Sequence, residues 1–252
     1  MAGHSKWKNI QHRKGRQDAL KGKIFAKLAR EIYVAARSGD KDPANNHQLR
    51  LVIAKARSQN MPNENIERAI KKASGSGTGQ NFESITYEGY GPGGTAVMVE
   101  ALTDNRNRTA ADIRHIFSKN GGNLGESGCV SWMFERKGIL VADRVQTGLD
   151  EEELMLVVLE SGAEDIESTD SNYEITTSPE NFETVKETLE KEGLSFSTAE
   201  VTFIPSNKVE IHGDAVKKVI QLIYALEDHD DVQNVYSNFE ANDEELAKVM
   251  DE

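Results

Sequence analysis

Cysteine is almost absent from the sequence, since Cys129 is the only one among 252 residues. An internal disulfide is therefore impossible, and a thiolate metal site cannot be completed. The six histidines are scattered along the chain without the spacing of metal ligands. The sequence therefore predicts a protein of a reducing compartment that holds no metal and no cofactor.

Long apolar runs are missing as well. The longest, Leu154 to Leu159, covers six residues, whereas a membrane-spanning helix needs about 20. The basic N-terminus is not followed by the apolar segment of a secretory signal, so we expect neither a membrane partner nor export. Residues 1–17 contain no acid, which is a weak feature of organellar transit peptides, and that alternative stays open.

Sequence patterns typical of catalysis are also lacking. There is no G-x-x-x-x-G-K-[ST] phosphate loop and no H-E-x-x-H zinc motif. Residues 89–94 match G-x-G-x-x-G, but Pro92 interrupts the match and a strand pattern follows, so a hairpin turn is predicted. Cys129 stands beside Val130 and Trp132, which favours a small packing residue over a nucleophile. We therefore expect that the protein is not an enzyme.

Charge is plentiful and it is segregated along the chain. The sequence has 30 Lys and Arg and 42 Asp and Glu, a net charge of −12. Residues 1–72 hold 17 of the basic and 6 of the acidic residues, a net charge of +11. The remaining 13 basic and 36 acidic residues give residues 73–252 a net charge of −23. Such asymmetry indicates contact with nucleic acid through the basic part; a merely solvated basic face is the alternative.

Three helices are predicted in the basic part. Apolar residues at spacings of three and four indicate a helix over residues 18–37. Asp42 as N-cap and Pro43 at the first helical position predict a second helix, and a third begins at Pro62. Three such helices form a small bundle. Its candidate phosphate-binding face consists of Lys23, Lys27, Arg30, Arg37, Arg50 and Arg57.

The first 16 residues form a basic arm with too few apolar residues to fold alone. Trp7 lies among cations, which suits stacking on an unpaired base, and the neighbouring lysines suit phosphate. The equally weighted alternative is that Trp7 anchors the arm on the bundle. The candidate nucleic-acid-binding residues of the arm are His4, Lys6, Trp7, Lys8, His12, Arg13 and Lys14.

Beyond a Gly- and Ser-rich linker at residues 75–79, the periodicity changes to that of short strands alternating with helices. Residues 137–204 follow the order β-α-β-β-α-β, which is the ferredoxin-like pattern. The elements predicted before this segment are strands at 82–90, 95–102 and 130–134 and a helix at 108–117; those after it are a helix at 214–226, a strand at 232–239 and a frayed tail or loose helix from residue 242.

The order of these elements predicts a discontinuous domain. The last helix and strand cannot bury a core by themselves, so we infer that they complete the first α/β unit. The predicted fold class is α+β: an N-terminal three-helix bundle plus two ferredoxin-like α/β domains, one inserted in the other. The predicted domains are residues 1–74, residues 80–135 plus 206–240, and residues 137–204.

A second basic stretch lies in the acidic part of the chain. Asp104 or Asn105 can cap the helix that follows, and Arg106 and Arg108 add local positive charge. These two arginines form a possible secondary phosphate site. An ion pair with the acidic part of the same chain is the favoured alternative.

Several long motifs resemble the YebC/PmpR family. They are MAGHSKWKNI at residues 1–10, HRK at 12–14, NMPNENI at 60–66, YEGYGPGG at 87–94, TDNRNRT at 103–109 and GGNLG at 121–125. The match covers essentially the whole chain. Cys129 replaces the serine that is usual in the family, which affects no assigned role.

The resemblance implies a helical domain and two α/β domains, one inserted in the other. Members of this family are usually described as cytoplasmic DNA-binding transcriptional regulators. Mitochondrial relatives resemble translational activators, and bacterial members are linked to ribosomes stalled on difficult nascent chains. A nucleic-acid-associated regulator is therefore expected, with the target divided between DNA and the ribosome.

We predict that the basic face and the arm contact the phosphate backbone, while the acidic domains are repelled and so orient the molecule. The acidic domains then stay available for a protein partner, such as polymerase or the ribosome. One hypothesis is a cytoplasmic DNA-binding transcriptional regulator. The alternative is a translation factor that binds ribosomal RNA, which the absence of an evident base-reading helix favours.

Overall fold

The computed structural model describes residues 17–75, 81–144, 151–168 and 172–251. Within these ranges the elements form a helical unit, which is followed by two four-stranded sheets with their helices. The basic arm of residues 1–16 lies outside the described residues. None of the described helices is long and apolar enough to cross a bilayer.

The helical unit consists of α1 (Gln17–Ser38), α2 (His47–Ser58) and α3 (Asn63–Ser74). Its core forms where the apolar stripes of the three helices meet, as the spacing of three and four predicts. The side chains at the centre of this core are Leu28, Ile32, Ala36, Leu49, Ile53, Ala56 and Ile66. The predicted bundle is therefore present.

The predicted start of the second helix is wrong by about four residues. Asp40 and Asp42 accept hydrogen bonds from the backbone N–H groups of Asp42 and Ala44, so this stretch forms turns instead of a first helical turn. Asn46 is the N-cap, because its side-chain oxygen accepts the N–H of Leu49 at 3.0 Å.

The first sheet has the strand order β3 (Asn123–Leu124), β1 (Glu83–Tyr90), β2 (Ala96–Thr103) and β9 (Val232–Ser237). It therefore combines chain segments that precede and follow the second sheet in sequence. Its last strand, β9, pairs antiparallel with β2, with Val97 opposite Ser237. Two helices cover one face, and their buried side chains include Ile113, Phe117, Ile220 and Leu226. The elements are β1 (Glu83–Tyr90), β2 (Ala96–Thr103), α4 (Arg106–Lys119), β3 (Asn123–Leu124), α7 (Asp214–Glu227) and β9 (Val232–Ser237).

The second sheet has the strand order β5 (Asp165–Ser168), β6 (Asn172–Thr177), β4 (Phe134–Asp143) and β7 (Phe196–Pro205), and neighbouring strands are antiparallel. This is the ferredoxin-like order that the sequence predicts, so the α+β fold class is confirmed. Leu140, Leu154, Ile175 and Leu189 form the centre of its core. The elements are β4 (Phe134–Asp143), α5 (Glu151–Glu160), β5 (Asp165–Ser168), β6 (Asn172–Thr177), α6 (Phe182–Lys191) and β7 (Phe196–Pro205).

Residues 130–134 do not form the separate strand that the sequence predicts. A short 3-10 turn covers Ser131–Met133, and β4 starts at Phe134 and continues unbroken to Asp143. The reason lies in Glu88, whose carboxylate accepts the N–H groups of Val130 and Ser131 at 2.8 and 2.7 Å. Backbone donors that bind a side chain in this way are not available for a strand ladder.

The C-terminal segment is more ordered than a frayed tail. The short strands β8 (Val209–Glu210) and β10 (Phe239–Glu240) pair in parallel, and α8 covers Asp243–Asp251. Leu246 of α8 is fully buried in the core of the first sheet. The segment therefore belongs to that sheet's domain.

Candidate nucleic-acid interface

The basic face of α1 turns towards the first sheet's domain, so part of it is occupied. Lys23 forms an ion pair with the carboxylate of Asp228, and the Lys27 ammonium donates to the carbonyl oxygen of Glu227. Arg30 Nη1 donates to the carbonyl oxygen of Asp230 at 2.9 Å. We refer to Lys23, Lys27 and Arg30 together with residues 227–231 as the interdomain clasp.

Burial affects the charge state within the clasp. It lowers the pKa of the Lys27 ammonium, and the nearby carboxylates of Glu227 and Asp230 counteract this only in part. Lys27 is therefore a less favourable phosphate ligand than a fully exposed lysine. As placed, Lys23, Lys27 and Arg30 hold the helical unit against the acidic part of the same chain.

Asp231 is the centre of the clasp. Its carboxylate is almost completely buried and accepts hydrogen bonds from Arg30 at 3.1 Å, Arg108 at 2.8 Å and the Thr109 hydroxyl at 2.8 Å. Burial raises the pKa of this carboxyl, but the bonds from Arg108 and Thr109 outweigh that effect and hold it below its ordinary value. Asp231 is thus an ionised, well-partnered carboxylate that joins two units of the chain.

His229 connects the same loop to α4. The backbone N–H of Asp231 donates to His229 Nδ1 at 3.1 Å, which requires Nδ1 to be an acceptor. The proton of a neutral ring then sits on Nε2, which lies 3.2 Å from Asp112 Oδ2 and donates to it. The loop of residues 227–231 is therefore fixed from both sides.

The secondary arginines are engaged within the chain, as the favoured alternative predicted. Arg108 contacts Asp104 at 3.0 Å as well as Asp231, and Arg106 lies 3.8 Å from Glu83. Asn105 caps α4 by accepting the N–H of Arg108. The TDNRNRT motif therefore builds the buried Asp231 site. Composition could not indicate the role of Asp231, because its partners Arg108 and Thr109 lie more than 100 residues earlier in the sequence.

The other candidate cations of the bundle lie away from the clasp. Arg37 is exposed at the end of α1 and donates to the Tyr33 hydroxyl at 2.8 Å. Lys72, which the sequence-based site omitted, lies over the same Tyr33 ring at 5.9 Å. Arg57 is exposed on α2. Arg50 folds back on the preceding turn, where it donates to the carbonyl oxygens of Pro43 and Ala44.

A cleft of about 1050 Å³ separates the helical unit from the first sheet's domain. Its walls have opposite charge, with Arg68 and Lys72 among the cations on one side and Asp104, Asp112 and Asp230 on the other. Tyr33 and Phe82 line it between these walls and meet edge to face at 6.0 Å. Arg37 and Lys72 both contact Tyr33, so these two exposed cations lie next to each other at the edge of the cleft. The candidate arm residues His4, Lys6, Trp7, Lys8, His12, Arg13 and Lys14 lie outside the described residues.

The described residues offer no group of three or more His, Cys, Asp or Glu that could hold a metal ion. Cys129 is half-buried, and burial together with the nearby Glu88 carboxylate raises the pKa of its thiol. A raised thiol pKa disfavours the reactive thiolate. Residues 91–95 form the tight connection between antiparallel β1 and β2, so the hairpin prediction is confirmed.

Comparison with known families gives two matches that together span most of the chain. Residues 5–76 match the model of the TACO1/YebC protein N-terminal domain. Residues 82–239 match the model of the TACO1/YebC second and third domain.

Curated relatives match over nearly their full length, and each bears the name probable transcriptional regulatory protein. The relative from Geobacillus thermodenitrificans is 63% identical over 240 residues, which are 95% of this chain and 97% of that one. The relative from Bacillus subtilis is 59% identical over 239 residues, or 95% and 99% of the two chains. The crystal structure of a conserved hypothetical protein from Aquifex aeolicus is 50% identical, with a TM-score of 0.77 over 90% of this chain and 93% of that one.

Proposed function

The chain belongs to the TACO1/YebC family, and from this we propose that it is a cytoplasmic, non-enzymatic regulator of transcription that binds DNA through its basic N-terminal part. The observation that carries the proposal is the charge segregation, with a net +11 on residues 1–72 against −23 on the rest. The names of the relatives from Geobacillus and Bacillus agree with a regulatory role.

The binding surface that we propose combines the arm with the exposed cations of the bundle. Arg37, Arg57 and Lys72 are the described residues best placed for phosphate, because they are exposed and lie outside the clasp. Lys23, Lys27 and Arg30 contribute only where the helical unit separates from the acidic loop. The acidic domains are repelled by the phosphates, so the helical unit faces the nucleic acid.

A binding experiment at several salt concentrations tests this proposal. We expect the full chain to bind duplex DNA with an affinity that falls by about 0.9 log units per log unit of salt for each phosphate contacted. The double variant Arg37→Ala/Arg57→Ala should bind several-fold more weakly and show a shallower slope, measured by fluorescence anisotropy. The matched control is Arg114→Ala/Arg136→Ala, which removes two exposed arginines of the acidic part.

Two results would contradict the proposal. A flat salt response would remove its electrostatic basis. An equal loss of affinity in the Arg114→Ala/Arg136→Ala control would show that the effect belongs to net charge and not to the basic unit.

A translation factor that binds ribosomal RNA is the second candidate function. It is favoured by the placement of α1, whose basic face is turned inward against residues 227–231 instead of lying open for a DNA groove. Sucrose-gradient sedimentation of crosslinked lysate, with and without RNase, separates the two candidates. Co-sedimentation with ribosomal subunits that survives RNase supports the translation factor, whereas material that stays in the light fractions supports the DNA-binding regulator.

A further inference from the structure

Helix α5 is apolar on two opposite sides. Leu154 and Val158 point into the core of the second sheet and are fully buried. On the outward side, Met155, Leu156 and Leu159 are 47%, 63% and 56% exposed. Outward positions of a surface helix are normally polar, so this face lacks the expected pattern.

The three outward side chains form one continuous patch. Leu159 follows Met155 by four residues and Leu156 by three, and residues at these spacings are neighbours on a helix surface. They are three of the seven large apolar side chains that are exposed in the described part of the chain. A clustered patch of this kind indicates an interaction site, unlike single exposed apolar residues.

The surroundings of the patch are strongly acidic. Residues 137–204 contain 17 Asp and Glu against 4 Lys and Arg, a net charge of −13. On α5 itself, Glu151, Glu152 and Glu160 are exposed next to the patch. The neighbouring helix α6 adds exposed Glu183 and Glu187.

These charges restrict what can cover the patch. Nucleic acid and anionic membranes are repelled by the glutamates, and a second copy that meets the patch with its own residues 137–204 brings the same net charge of −13 to the contact. A basic protein segment gains from both features, since its cations face the glutamates and its apolar residues cover the exposed side chains.

We propose that Met155, Leu156 and Leu159, with the surrounding glutamates, form the docking surface for a basic amphipathic helix of another protein. The outward face of α5 offers apolar residues at helical spacing, which an apolar stripe of a partner helix can match. This surface is separate from the basic unit that contacts nucleic acid in the proposed function, so the two activities can be tested independently.

The test uses the full chain and three synthetic peptides of 14 residues, with binding measured by fluorescence anisotropy. The first peptide is an amphipathic helix of Leu and Lys, the second replaces each Lys with Glu, and the third replaces each Leu with Ser. We expect micromolar binding of the Leu/Lys peptide alone. The Leu156→Ser/Leu159→Ser variant should lose at least about tenfold in affinity, because apolar anchors dominate such contacts.

Two further variants test whether binding depends on the apolar patch of α5 and on the glutamates around it. Trp132→Ser removes an apolar side chain that is 68% exposed in the 3-10 turn Ser131–Met133, outside α5, and it should bind like the wild type. Glu152→Gln/Glu160→Gln keeps the apolar patch and should bind more weakly, with a smaller dependence on salt. Circular dichroism and thermal unfolding of each variant verify that it is folded.

Several outcomes would overturn the proposal. They are equal binding of the Leu/Glu or the Ser/Lys peptide, unchanged binding by the Leu156→Ser/Leu159→Ser variant, and a wild-type dimer in sedimentation that this variant abolishes. The last outcome would assign the patch to a second copy of the chain. None of them depends on whether the basic unit binds nucleic acid.

Discussion

The Asp231 carboxylate connects two units of this protein through hydrogen bonds. Its oxygens accept from Arg30 of the helical unit and from Arg108 and Thr109 of the first sheet's domain. Hydrogen bonds that involve charged groups are stronger than neutral ones. The side chain therefore joins α1, α4 and the loop before β9.

Replacing Asp231 by Asn should lower the free energy of unfolding by about 2 kcal/mol, because Arg30 loses its anionic partner and Arg108 keeps only Asp104. Full burial would give a larger loss, but the Arg108 side chain is 48% exposed and water screens it. Urea unfolding measures the change. Asp228→Asn is the matched control, since its side chain is 68% exposed and its loss should stay below about 1 kcal/mol. Equal losses in both variants would contradict the central role of Asp231.

The Glu88 carboxylate likewise binds several donors at once, here in the loop of residues 128–131. The buried carboxylate accepts the N–H groups of Gly128, Val130 and Ser131 at 2.7 to 2.8 Å. Burial raises its pKa, but these three bonds outweigh that effect and hold the pKa below its ordinary value. The ionised form is therefore the one that stabilises the fold.

We expect this stabilisation to be complete above the ordinary carboxyl range and to be lost as the pH falls below about 4. The Glu88→Gln variant has one acceptor oxygen instead of two. Its free energy of unfolding should therefore be about 2 kcal/mol lower than that of the wild type at pH 7, and it should decrease less on acidification. Urea unfolding between pH 7 and pH 3 measures both effects. Glu126→Gln, at an exposed position in the same loop, should behave like the wild type; a matching loss there would argue against a specific role of Glu88.

At the scale of single elements, the start of α2 depends on one side chain. Asn46 caps the helix through its oxygen, and its amide group donates to the carbonyl oxygens of Ala35 and Asp40 at 2.8 and 2.7 Å. It therefore connects the end of α1 to the start of α2. The pair Asp42 and Pro43 is the start signal that the sequence suggests, but the Asp42 carboxylate accepts the N–H of Ala44 within the preceding turn.

The Asn46→Ala variant should lower the free energy of unfolding by about 2 kcal/mol, from the lost cap and from two carbonyl groups left without this donor. Asn45→Ala removes an exposed amide one residue earlier and should cost well below 1 kcal/mol. Thermal or urea unfolding of the two variants measures both losses of stability. If Asn45→Ala proves as destabilising as Asn46→Ala, the loss of stability in Asn46→Ala does not come from the helix cap.

At the scale of the whole molecule, the clasp determines how the basic unit sits on the acidic one. Its partners are far apart in the chain, since Lys23 and Asp228 are 205 positions apart in sequence. The Lys23 pair is exposed and sensitive to salt, whereas Arg30 and Asp231 are mostly buried and less screened. The relative position of the two units therefore depends on these ion pairs.

The Lys23→Ala/Arg30→Ala variant should separate the helical unit from the first sheet's domain, because both removed side chains bind residues 228–231. Small-angle X-ray scattering should show a larger radius of gyration than that of the wild type. Lys71→Ala/Lys72→Ala removes the same number of charges from α3 and should leave the molecule compact. Identical scattering by all three proteins would contradict the clasp.

The sequence alone determined the α+β class, the three helices of the basic unit and the ferredoxin-like order, because periodicity and charge are local properties of a chain. It also indicated the family through long motifs. Only the tertiary structure decided which charges stay exposed. Lys23, Lys27 and Arg30 are candidate phosphate ligands in the sequence, and the groups that they bind in the structure lie about 200 residues away and come close only when the first sheet folds. Asp231 has its role for the same reason, since its burial and its partners more than 100 residues away are set by packing.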